Sequence, residues 1–211
     1  MTKWCTTDVT VVCASKETAM NVFNTLNKWS DTRIPGYDGE NKNRLEKFLI
    51  LSGFTTYENV GSCGYECDGT LDGVSLLGFG ICGYEVSFKT TTVETPCLRM
   101  WVDIFNKCWP GKISDIRYVA DEPHDSLHYT NDFEYEDMYY VDTLTDNGPE
   151  FMLPDNRYTE EELRDELLSF FITKGIPVNG EDLDSMREQI RSLGVDLCIN
   201  LYEYVDIEDL D

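Results

Sequence analysis

Apolar and polar residues alternate along 84–90, where Tyr84, Val86 and Phe88 are separated by Glu85, Ser87 and Lys89, the period-two pattern of a half-buried strand. The period then changes. Leu98, Trp101, Val102 and Phe105 recur at helical spacing. Thr95 in front of them is a capping hydroxyl, Pro96 suits the first helical position, and Trp109-Pro110-Gly111 predicts the stop. Ile113, Ile116, Tyr118 and Ala120 predict a second strand, after which the chain turns acidic and aromatic.

Upstream, Val9, Val11 and Val12 predict a strand over Asp8–Cys13. Ser15 followed by Ala19, Val22, Phe23 and Leu26 predicts a capped amphipathic helix. Residues 29–44, with Pro35-Gly36 and Asp38-Gly39, read as an exposed loop. Leu45, Phe48, Leu49 and Leu51 fit a short helix that Gly53 could close. Seven glycines between Gly61 and Gly83 predict tight turns and short or irregular strands.

Downstream, Phe133 and Tyr135 alternate with Glu134 and Glu136, so Tyr129–Thr143 reads as one or two strands. Thr159 and Glu162 form a capping box before the stripe Leu163, Leu167, Leu168 and Phe171, and Gly175 ends that helix. A shorter helix follows over Glu181–Leu193, with Leu183, Met186, Ile190 and Leu193 inward, and Val195–Val205 alternates as a last strand. Two β-α-β units, opening at Asp8 and Tyr84, predict an α+β fold, a ferredoxin-like sandwich with an antiparallel sheet. The expected organisation is a domain over 1–150, with an acidic ribbon at 121–146, and a helix-helix-strand subdomain over 151–211.

Charge changes the picture most. The net charge is −23 over 211 residues, but Met1–Arg117 holds 14 acidic and 12 basic residues, whereas Tyr118–Asp211 holds 26 and 5. No Lys or Arg lies between Arg117 and Arg157. Solubility needs charge anywhere; steering toward a basic groove needs it gathered in one region. A folded surface of dense carboxylates can occupy a groove built for nucleic acid, whose affinity comes from Lys and Arg contacts to phosphate.

The chemical motifs are sparse. Gly78, Gly80 and Gly83 have dinucleotide-fingerprint spacing, but the strand pattern from Tyr84 follows where that chemistry needs a helix N-terminus. Cys63 and Cys67 lack the second pair of a zinc site, and the eight cysteines read as mostly buried thiols in a reducing compartment. No apolar run approaches the roughly 18 residues of a membrane span, and no export signal is evident, so a cytoplasmic protein without a cofactor is expected. His124 and His128, the only histidines, could share a metal with nearby carboxylates on a helix. Glu122-Pro123 and Asp125-Ser126 favour instead a turn with solvent-exposed histidines.

Phe88-x-Thr90, Pro96 opening a helix, the Trp109-Pro110 stop, and Tyr118 and Glu122 in the next strand together resemble the YubB-like ferredoxin-like proteins of phages and plasmids, over about residues 80–135. That resemblance implies a mobile-element origin and transfers no catalytic residue. In general character the chain is also similar to acidic anti-CRISPR and DNA-mimic inhibitors. The resulting expectation is a non-enzymatic inhibitor that binds a basic nucleic-acid-binding host protein through Asp121, Glu122, Asp125, Asp132, Glu134, Glu136, Asp137, Asp142 and Asp146. A metal-dependent enzyme using His124 and His128 is the alternative.

Overall fold

The computed structural model of the chain describes residues 3–35, 44–65, 68–80, 83–93, 95–122, 127–143, 153, 157–180, 182–195 and 197–210. It is an α+β protein whose contacts divide it into two units, Met1–Phe133 with Tyr204–Asp211, and Glu134–Glu203.

In the first unit, strands β1 (Trp4–Cys13), β2 (Gly69–Phe79), β3 (Tyr84–Val93), β4 (Ile113–Glu122) and β5 (Leu127–Thr130) carry the sheet, and helices α1 (Lys16–Asp31), α2 (Leu45–Leu51) and α3 (Leu98–Cys108) pack on it. With β9 (Glu203–Tyr204) at one edge, the strand order is β2-β3-β1-β4-β5-β9. The pairings β2–β3, β3–β1, β1–β4 and β4–β5 are antiparallel. Register sets the core: Val9 lies opposite Phe88 on one side and Tyr118 on the other, and Val11 opposite Val86 and Ile116. Strand alternation sends these to the helix-covered face, where Leu26 of α1 and Trp101, Ile104 and Phe105 of α3 join one cluster. The Phe88 and Trp101 rings sit 4.6 Å apart.

Several local expectations meet their cause here. Ser15 caps α1, its Oγ accepting from Thr18 N at 3.2 Å. Helix α3 begins two residues later than the proline predicted, because Cys97 is not helical (ψ 50°) and leaves Pro96 outside, where its carbonyl accepts from Leu98 N. Within the glycine-rich segment, Gly69–Phe79 form one irregular eleven-residue strand, β2. Its irregularity is absorbed as register shifts after Leu71 and Leu76, with Gly73 and Gly78 at positive φ.

In the second unit, β6 (Tyr139–Thr143) lies between β7 (Arg157–Tyr158) and β8 (Leu197–Leu201), and α4 (Glu160–Lys174) and α5 (Leu183–Ser192) supply the helices. Val141, Leu163, Leu167, Phe171, Met186 and Ile190 are buried together. The capping box forms as expected: Thr159 N donates to Glu162 Oε2 at 2.9 Å and Glu162 N to Thr159 Oγ1 at 3.3 Å. Gly175 closes α4 at φ 65°. The single last strand expected over Val195–Val205 is two, β8 in the three-stranded sheet and β9 in the six-stranded one. Buried Tyr202 breaks the run, its N–H bonded to Met138 O and its hydroxyl accepting from Arg157 Nε at 3.0 Å.

Candidate functional site

The acidic stretch separates into a buried half and an exposed half. Asp121 and Glu122 end β4, Asp132 follows β5, and all three are buried. Asp121 is the cross-strand partner of His128, whose Nδ1 lies 3.0 Å from Asp121 Oδ1. The solvent-exposed histidine expected at this position is therefore 3% exposed within β5, because the pairing register supplies a carboxylate to the imidazole. His124 and Asp125 lie outside the described residues.

Asp132 belongs to a buried ionic network that no spacing in the sequence announces. Arg117 Nη1 donates to its two oxygens at 3.3 and 3.4 Å, and Arg117 Nη2 donates to Glu85 Oε1 at 2.7 Å. The three side chains are between 5% and 11% exposed, so one guanidinium serves two carboxylates inside the fold. Gly80 is part of this arrangement. A Cβ there would stand 2.2 Å from the Glu85 carboxyl group, so the middle glycine of the fingerprint-like run makes room for a side chain, and no helix follows it. Glu122 Oε1 is buried with no hydrogen-bond partner. Nearby, burial pushes the Cys5 thiol up to about 11, with Asp121 and Glu122 adding to the rise.

Beyond Asp132 most of the described carboxylates are exposed. Glu134, Glu136 and Asp137 are exposed, Asp142 on β6 is partly so, and Asp146 lies outside the described residues. Of the one or two strands expected over Tyr129–Thr143, β5 ends and β6 begins within that range, but residues 131–138 between them run through turns, so Phe133 and Tyr135 lie in no strand. Asp137 takes φ 66°, and each ring finds a cation: Arg117 sits 5.8 Å from the Phe133 centroid and Arg157 5.5 Å from that of Tyr135.

A larger exposed anionic surface lies on α4, which none of the nine site residues includes. Glu160, Glu161, Glu162, Asp165 and Glu166 are exposed on its first two turns, where carboxylates also complement the helix dipole. Asp184 and Glu188 are exposed on α5. Over Glu134–Glu203 there are 18 acidic and 5 basic residues, a balance of −13. The signal in the sequence was the charge of the C-terminal half itself; the helix periodicity assigns Glu161, Glu162 and Asp165 to the side away from Leu163, Leu167 and Phe171. Among the described residues, no group of three or more His, Cys, Asp or Glu is arranged to hold a metal ion. Among the described residues, no helix is long and apolar enough to cross a membrane. Comparison with family models, curated proteins and solved structures finds no match to the chain.

Proposed function

We propose that the chain is a non-enzymatic acidic inhibitor of mobile-element origin, anti-CRISPR-like in action, that occupies the basic groove of a nucleic-acid-binding host protein such as a defence nuclease. The observation that carries this reading is the division of the carboxylates. Asp121 and Asp132 are engaged internally by His128 and Arg117, whereas Glu134, Glu136, Asp137 and the first two turns of α4 turn their charge outward. The contact surface is accordingly drawn from the second unit, and the 121–132 part of the ribbon supports the fold. The order β1-α1-β2-β3-α3-β4, with the short α2 inserted between α1 and β2, and the strand sequence β2-β3-β1-β4 support reading the first unit as a ferredoxin-like sandwich.

Electrostatic mimicry requires affinity that falls with salt and that depends on the exposed acids. Titrating the protein against a basic nuclease–guide complex, in low and high salt, tests both requirements. The metal-enzyme alternative draws less support, since the His128 imidazole already faces Asp121 in a buried strand pair.

A further inference from the structure

Two clefts, of about 580 and 550 Å³, run along the outer side of α3 and share Ile207 as a common wall. Each falls within the size range of sites that hold small ligands or peptide side chains. Pro96, Cys97 and Leu210 give the first an apolar lining; Val102, Ile113 and Ile116 do so for the second. The charged residues along them are five carboxylates, Asp103, Asp115, Asp206, Glu208 and Asp209, against the single guanidinium of Arg99.

This groove is preformed. Its wall, the 3-10 turn Ile207–Asp209, is tied to the sheet by Val205 N donating to Thr130 O at 2.8 Å and Tyr118 Oη donating to Val205 O at 2.7 Å. Asp103 is oriented by the Tyr65 hydroxyl, which donates to its Oδ2. The lining spans Leu98 to Asn106 of α3, about 12 Å at 1.5 Å per helical residue, which is the reach of about four residues of extended chain.

We propose that this groove docks an extended basic segment of a partner protein, with an apolar side chain of the segment against Ile207 and its Lys or Arg residues on the flanking carboxylates. Charge complementarity selects the occupant: a second copy of this chain, at −23, would be repelled. The groove lies in the first unit and is independent of the exposed acids on α4, so it stands or falls separately from the inhibitor reading.

The test is fluorescence anisotropy of the full chain with labelled peptides of alternating lysine and leucine, lysine and glycine, and glutamate and leucine. The lysine–leucine peptide should bind tightest, and Ile207→Arg or the exposed pair Asp206→Asn with Asp209→Asn should weaken it by about tenfold. Neutralising Glu160, Glu161, Asp165 and Glu166 should change it by less than about threefold, because those charges are not in the groove. Equal binding of the lysine–glycine peptide, or indifference to the groove variants, would mean bulk charge attraction and overturn the proposal. So would binding of the glutamate–leucine peptide, which would make the clefts merely apolar. Should Ile207→Arg fail to fold, the Asp206/Asp209 pair decides alone.

Discussion

Arg117 on β4 reaches across the central strand β1 to Glu85 on β3, Nη2 to Oε1 at 2.7 Å, while its Nη1 turns to Asp132. One guanidinium thereby ties three separated segments together on the sheet face opposite the helices. Truncating it leaves two buried carboxylates without their countercharge. Arg117→Met should cost about 3 to 5 kcal/mol in urea unfolding, as breaking a buried pair from one side does. A loss below about 1 kcal/mol, the scale of exposed pairs, would mean the network is hydrated and structurally minor.

Gly80→Ala should destabilise the protein through the same network. The added Cβ meets the Glu85 carboxyl group at 2.2 Å, and that group cannot swing away without leaving Arg117. We expect a loss of about 1 to 3 kcal/mol. In a Glu85→Ala background the loss should shrink, which a double-mutant cycle by chemical denaturation would read as coupling. Additive effects would place the strain elsewhere.

Alkaline pH should unfold the first unit from within. Burial raises the Cys5 and Cys13 thiols from 9.0 to about 11 and the Tyr65 hydroxyl from 10.0 to about 12. Raised folded-state values mean that folding favours the protonated forms, so this stability is fully present below about pH 9 and is lost as pH rises through 11 to 12. Denaturation midpoints measured across that range should fall, and the fall should be smaller in Cys13→Ala. A flat profile would contradict the burial of these groups.

The chain should not bind nucleic acid alone. Its net charge is −23, and 26 of its acidic residues against 5 basic ones lie in Tyr118–Asp211, so a polyanion meets net repulsion. Gel shift of duplex DNA or single-stranded RNA at physiological salt and without added metal should show free nucleic acid throughout; a shifted band would contradict the decoy account.

What was legible in the sequence was local. The Thr159–Glu162 box and the Ser15 cap each join residues three apart, and both form. The strand pattern from Tyr84 and the stripe around Trp101 declared themselves by period, and both became elements of the core, β3 and α3. What could not be read depends on which strands become neighbours. Glu85 and Arg117 are 32 residues apart and meet only because β1 inserts between β3 and β4. His128 is buried for the same reason, its partner Asp121 being fixed by the β4–β5 register. The Phe133–Tyr135 alternation misled because both rings are satisfied by cations from other segments, and a turn meets that need as well as a strand does.

In the inhibitor reading, the outward carboxylates of the second unit, and not the inward Asp121, Glu122 and Asp132, make the partner contact. The most direct test measures affinity for a basic nuclease–guide complex at several salt concentrations, comparing the parent with a variant carrying Glu134→Gln, Glu136→Gln, Asp137→Asn, Glu161→Gln and Asp165→Asn. All five residues are exposed, so the variant should keep its stability. Close interfacial charge pairs couple by about 1.5 to 7 kcal/mol, so the variant should bind at least about tenfold more weakly and with a shallower salt dependence. Unchanged affinity and an unchanged salt slope would contradict the account.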